Sequence, residues 1–351
     1  MKDVETHPFA SRSSGERVWR HLGPLLTPIS WPYAAAVVAR RRWWQSRARS
    51  LECPVVSVGN LTCGGTGKTP TVQMMVGDLK RLGFQPAILS RGYGSSGAVG
   101  GNDEYEVLAA NLPDVPHYQG ADRWACGRQA IDRGADILIL DDGFQHVQLR
   151  KDLDFVLLDA LDPFGNGRLL PAGTLRESIG ALRHADLVGI TRTDLQAEDR
   201  VDELSASLAK RFPRLAQVRL RTETLDWRSL DDDTHGADAF RGRSVAAFCG
   251  IGNPDAFRRQ LTLLGAEVRL WIPFADHHRY TSREIREVSE RARECQVAAV
   301  VMTQKDVVKL RAPEFRVAMQ GPPWLFLRIV QNIVAGEGAY REALAGLRHD
   351  P

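Results

Sequence analysis

Cysteine is scarce and unpaired in this sequence. Its five cysteines (Cys53, Cys63, Cys126, Cys249 and Cys295) are scattered, with no CxxC pair among them. That points away from a disulfide framework or a zinc site and suits a reducing compartment. An excess of one charge is lacking too: 46 basic against 43 acidic residues leave a net charge of +3, too little to imply a nucleic-acid partner. No internal repeat at solenoid spacing appears. The N-terminus opens on charged and polar residues rather than the apolar core of a cleavable signal. Long apolar runs are also wanting. The uncharged stretch from Leu22 to Ala39 is eighteen residues long and contains Pro24, Pro28 and Pro32. It is barely enough to cross a bilayer, and the prolines weaken a spanning reading further.

The basic residues just beyond that stretch are more informative. Arg40, Arg41 and Arg42 precede Trp43 and Trp44, with Arg47 and Arg49 close behind. Arginines beside tryptophans suit a helix lying in a membrane interface, with cations at anionic phospholipid headgroups and indoles at the polar–apolar boundary. A soluble helix with solvated arginines is the plainer alternative.

At 351 residues the chain has room for two domains. Pro54–Val58 reads as a buried strand, leading to a glycine-rich turn and a helix starting near Lys68. Ala87–Leu89, Ala135–Leu140, Phe155–Asp159 and Leu187–Thr191 read as further strands with polar ends. Alternation with helical stretches predicts an α/β fold: a P-loop kinase-like core with a mostly parallel sheet. Ligands in such sheets gather at the carboxyl ends of the strands. Residues 222–243 are polar and turn-rich and read as a linker with room for a β-hairpin. A second α/β unit begins at Ser244–Cys249, with a helix over 253–264, a strand near 268–271, a helix from Ser282 and a strand at 297–302. The organisation expected is an N-terminal membrane-associating segment (1–50), a nucleotide-binding core (51–221), the linker (222–243) and a smaller α/β domain (244–351).

The strongest local signal is the run from Val58 to Pro70, VGNLTCGGTGKTP. Glycines let backbone N–H groups wrap around phosphate oxygens, and the helix after them adds its positive end. The cradle would comprise Cys63, Gly64, Gly65, Thr66, Gly67, Lys68, Thr69 and Pro70. Lys68 would reach the β- and γ-phosphates of ATP, and Thr69 would bind Mg²⁺. Thr62 stands at the first glycine position of the strict GxxxxGK[ST] pattern, so the loop is a deviant one. Asp141 and Asp142 end an apolar run, where a metal-linked carboxylate belongs. Asp276, beside His277 and His278, offers either a proton-handling pair or a helix cap and surface histidines. Thr191–Asp194 and Thr303–Asp306 both come after strands, and both stand open as adenine contacts.

Taken together, VGNLTCGGTGKTP (58–70), LSRGYG (89–94), NDE (102–104), LDDGFQH (140–146), GNGRLLPAGTLRES (165–178), FCGIGNP (248–254), FADHHRYT (274–281) and TQKDVVKL (303–310) resemble the tetraacyldisaccharide 4′-kinase family of Gram-negative bacteria. The resemblance spans essentially the whole chain. It implies transfer of the ATP γ-phosphate to the 4′-hydroxyl of an acylated glucosamine disaccharide 1-phosphate, giving lipid IVA. It also implies two α/β domains with the active site in their cleft, and a peripheral or monotopic place at the cytoplasmic face of the inner membrane. Residue by residue, it implies Lys68 and Thr69 at the phosphates, Asp141 and Asp142 at Mg²⁺, and Asp103 with His277 at the acceptor hydroxyl. Asp276 is the alternative partner of that histidine. Arg123, Arg176 and Glu177 would bind phosphates or position neighbouring groups. Asn102, Thr174 and Gln304 stand where glycine, proline and glutamate are common.

Overall fold

The computed structural model describes residues 14–92 and 103–347, with side chains described from residue 26 onward. Residues 1–13 of the expected N-terminal segment, Tyr93 and Gly94 of LSRGYG, and Asn102 of NDE lie outside the described residues. Among the described residues the chain forms two compact units: 15–222 with 331–347, and 223–330.

The first unit opens on helix α1 (Ser14–Gln45), which runs through all three prolines. Pro28 and Pro32 lie on its exposed side, so the carbonyl that Pro32 leaves without an intrahelical partner faces outward, where the loss is least costly. Then come β1 (Val55–Asn60), α2 (Lys68–Arg81), β2 (Pro86–Ser90), α3 (Asp103–Asn111), β3 (His117–Gln119), α4 (Arg123–Ile131), β4 (Ile137–Asp141), β5 (Leu153–Asp159), β6 (Leu187–Thr191), α5 (Glu198–Arg211) and the start of β7 (Ala216–Ser229). Their strand order is β3-β2-β4-β1-β5-β6-β7, all parallel.

Strands β1, β4, β5 and β6 are buried along their whole length, as their unbroken β-branched and leucine runs require of a sheet covered on both faces. Val56, Val58, Phe155 and Leu157 face one core with Met75 and Leu79 of α2. Val156, Leu158, Val188 and Ile190 face the other, with Leu182 and Leu208. Successive strands leave β1 in opposite directions along the sheet, so the loop after β1 opens at a topological switch point.

The second unit holds the rest of β7, β8 (Thr234–Gly236), β9 (Ser244–Cys249), α6 (Pro254–Leu263), β10 (Glu267–Pro273), α7 (Ser282–Glu294), β11 (Ala299–Thr303), α8 (Gln304–Val307), α9 (Pro313–Ala318) and most of β12 (Trp324–Ala335). Parallel strands run in the order β10-β9-β11-β12, and β8 pairs antiparallel with β7. One expectation needs correcting. The smaller unit stops at residue 330, because β12 carries the chain back into the first unit. There α10 (Glu337–Ala345) buries Tyr340 and Leu344 in the α2 core, and the Tyr340 hydroxyl donates to Asp78 at 2.8 Å.

Candidate active site: the phosphate loop and its supports

β1 ends on Asn60, and the loop after it turns directly into α2 at Lys68. Gly67 caps the helix at φ 85°, a left-handed conformation that strains any residue with a side chain. Gly59, one residue before the strand end, has another constraint: a Cβ there would sit 2.6 Å from Phe144 Cβ. The end of β1 therefore lies flush against DDGFQH. Of the expected cradle, Cys63 donates its N–H to the Thr174 carbonyl at 2.7 Å, so that amide serves the loop's own fold. Pro70 falls in the first helical turn, where a missing N–H costs no hydrogen bond.

Lys68 points back over the strand ends. Its Nζ stands 3.6 Å from Asp142 Oδ1 and donates to Asn60 Oδ1 at 3.5 Å. Asp142 occupies a left-handed position (φ 56°) immediately after β4. Both Arg176 terminal nitrogens meet its carboxylate at 2.8 Å, a bidentate fork, and one of them also donates to Asn60. Burial pushes the Asp142 carboxyl up, but Lys68, Arg176 and Arg123 outweigh it and hold the group well below the usual carboxylate range. Asp141 closes β4 and is buried, in register with Val58 of β1, and Arg123 donates to its carbonyl at 3.3 Å. Thr69 is buried at the start of α2.

Asn60 carries no signal of its own in the sequence, although it sits inside the phosphate-loop motif. Thr191 and Arg192 carry a different task from the adenine contact considered for them. The Thr191 hydroxyl donates to the Thr66 carbonyl at 3.0 Å, and Arg192 donates to the Gly65 carbonyl at 2.8 Å while pairing with Asp159. They brace the phosphate loop from the neighbouring strand ends. Beneath Phe144, the buried Lys151 pairs with Asp154 at 2.7 Å and donates to the Gly143 and Phe144 carbonyls, both at 3.4 Å. Burial lowers the Lys151 pKa against the pull of Asp154. His146, at the end of the same segment, is held down to about 4 by burial and by neighbouring Arg123, Lys151 and Arg40, so it is neutral at pH 7.

Glu177 is placed differently from a phosphate-side group. Its buried carboxylate takes both Nε and Nη2 of Arg41 from α1, at 2.9–3.1 Å. Asp103 is the first residue of α3, where a carboxylate favours the helix N-terminus.

In the second unit, His277 sits at φ 56° with its ring 3.8 Å from the Asp276 carboxylate, and both side chains are exposed. His278 is structural: it meets Glu284 at 3.0 Å and stacks on Phe274. Asp306 is fully buried and accepts from Tyr280, Thr303 and the Gly250 N–H at 2.7, 2.5 and 2.9 Å. Its carboxylate thus holds the loop fold rather than facing a ligand as an adenine contact would.

A strand, a glycine loop, a lysine at the next helix and paired aspartates on the adjacent strand define a P-loop nucleotide-binding protein of the kinase type. The comparisons with known proteins narrow that class. The tetraacyldisaccharide-1-P 4′-kinase family model matches residues 22–347. A tetraacyldisaccharide 4′-kinase of Syntrophus aciditrophicus is 38% identical, covering 92% of this chain and 95% of its own. That of Anaeromyxobacter dehalogenans is 40% identical over 90% of this chain and 88% of its own. Among solved structures, LpxK from Aquifex aeolicus in complex with ATP superimposes with a TM-score of 0.71 at 27% identity, covering 93% of this chain and all of that one. The chain belongs to the tetraacyldisaccharide-1-P 4′-kinase family.

Proposed function

We propose that this chain is the kinase that transfers the γ-phosphoryl group of ATP to the 4′-hydroxyl of tetraacyldisaccharide 1-phosphate, forming lipid IVA in lipid A biosynthesis. Family membership over residues 22–347 carries the reading. The phosphate-loop geometry supports it, since Lys68, Asp142 and Arg176 are already assembled at one strand edge.

In this reading the loop amides and the α2 N-terminus cradle the phosphates, and Lys68 moves from Asp142 onto the transferring group. The residues fit Mg²⁺: hard oxygen donors, Thr69 and Asp141, stand at adjoining element ends, and Asp142 is already ionised. When bound, the ion would neutralise charge on the β- and γ-phosphates. Among the described residues no group of three His, Cys, Asp or Glu side chains forms a metal cluster. That accords with a site completed by a threonine and phosphate oxygens. Asp103 takes the proton of the sugar hydroxyl as its oxygen bonds to the γ-phosphorus and the bond to ADP breaks. His277 orients that hydroxyl, and Asp276 is the alternative partner. These acceptor roles, with Arg123 at a phosphate, rest on the resemblance. Kinetics of Asp103→Ala, His277→Ala and the double variant test the pairing; fully additive losses contradict it.

Membrane contact falls to α1. Ile29, Trp31, Val38 and Trp43 are exposed on it, Trp31 at 72%, and Arg42 and Arg47 stand nearby for anionic headgroups. Among the described residues no helix is long and apolar enough to cross a membrane. The reading is peripheral or monotopic attachment at the cytoplasmic face of the inner membrane. Recovery of Trp31→Ser with anionic vesicles tests it, and wild-type recovery contradicts it.

A further inference from the structure

Helix α1 has two faces that differ in kind. The outward one presents the exposed Trp31 and Val38, seven residues apart. The inward one presents Ser30, Tyr33 and Arg41 on one stripe, with successive spacings of three and eight residues, and each reaches into the loops that bear the site. Ser30 donates to the Leu169 carbonyl at 3.0 Å. The Tyr33 hydroxyl donates to the carbonyl of Arg176 at 2.9 Å. Arg41 holds Glu177, the next residue, and donates to the Phe144 carbonyl at 3.4 Å, with its guanidinium 4.9 Å from the Phe144 ring centre. Arg40 donates to the Gln145 carbonyl, and Gln145 in turn donates to the Asn60 carbonyl at 2.9 Å.

Asp142 and Arg176 face each other from these two loops, and α1 holds both loops. The carbonyl of Phe144 takes Arg41 from α1 and Lys151 from the opposite side. A helix serving only as an anchor has no need of buried contacts to the residues flanking a phosphate site. With side-chain exposures of 17% and 6%, Arg41 and Glu177 form a geometric lock rather than a solvated surface pair.

We propose that α1 is a positioning element of the nucleotide site, with Tyr33 and Arg41 setting the Arg176–Glu177 segment and, through it, Asp142 and Lys68. This deepens the proposed function and rests on its reading of the phosphate loop as the MgATP site. It joins membrane attachment and nucleotide binding in a single helix. An intact α1, correctly docked, is then needed for the site even when the acceptor is presented in detergent.

The test uses the full chain and measures MgATP affinity by calorimetry without lipid, kcat and KM in detergent micelles, and thermal stability. Tyr33→Phe removes one oxygen and serves if Arg41→Ala fails to fold. Tyr33→Phe is expected to weaken MgATP binding severalfold with its melting temperature near wild type, and Arg41→Ala about tenfold or more in kcat. Arg41→Lys, which keeps the charge but loses the fork, restores only part. Trp31→Ser, on the outer face, places its main loss in vesicle recovery. Wild-type MgATP affinity and micellar kcat in both Tyr33→Phe and a folded Arg41→Ala overturn the proposal. Failure of the wild type itself to bind MgATP instead overturns the nucleotide reading beneath it.

Discussion

Asp142 shows how single residues set this site. Its folded carboxyl titrates below the unfolded value of 3.8. Its ion pairs therefore stabilise the protein fully above that value, and the contribution is lost as pH falls below it toward the folded pKa. Asp142→Asn should flatten that part of the acid-denaturation profile relative to wild type; parallel profiles would contradict the ion-pair account. His146 carries a proton linkage of the same sign from a different cause, burial of a neutral ring. With a folded pKa of about 4 against 6.5 unfolded, it costs the fold stability progressively as pH drops from 6.5 to about 4. NMR titration of its ring should show it neutral at pH 6, and a midpoint near 6.5 would refute its burial. Gly59→Ala forces a Cβ onto Phe144 and should destabilise by about 1–3 kcal/mol, read by thermal denaturation. Lys68, Thr69, Asp141 and Asp142 are legible in the sequence because spacing after a strand implies their placement. Asn60, Tyr33 and Arg41 are not, because their partners lie far off in sequence and no local pattern encodes such contacts.

Among the elements, legibility tracks burial. β1, β6 and β9 read cleanly, since continuous apolar runs have no other use in a sheet covered on both faces. Residues 222–243 read as a polar linker with room for a β-hairpin, and there the end of the fourteen-residue β7 pairs antiparallel with β8. Asp226 of β7 is matched by Arg328 of β12 at 2.7 Å, so a charge that argues against a strand is neutralised by a partner about a hundred residues away. The arginines around the end of α1 read alike as headgroup contacts, but the structure divides them. Arg41 is held by Glu177, while Arg42, Arg47 and Arg49 stay exposed, with Arg47 over the Trp43 ring at 4.0 Å and Arg49 over the Trp124 ring at 3.4 Å. Removing either partner of the Arg41–Glu177 pair should cost about 3–5 kcal/mol, and the double variant less than the sum. Arg192→Ala takes away a brace on the Gly65 carbonyl and should weaken MgATP binding by about tenfold, with the melting temperature reporting any wider loss.

For the molecule as a whole, the phosphate site and the proposed attachment helix belong to one unit. The first unit gathers the phosphate loop, its aspartates and the helix proposed to meet the membrane, while the second displays His277 on a loop pinned by buried Asp306. An enzyme whose acceptor carries several fatty chains has reason to build its attachment helix into the same unit as its nucleotide site. The most direct test is transfer of labelled γ-phosphate from MgATP to tetraacyldisaccharide 1-phosphate in detergent micelles, with Lys68→Ala beside the wild type. Labelled lipid from the wild type, reduced about a hundredfold or more in Lys68→Ala, is the result expected. ATP hydrolysis with no labelled lipid would contradict the account and mark the chain as a nucleotide-driven switch.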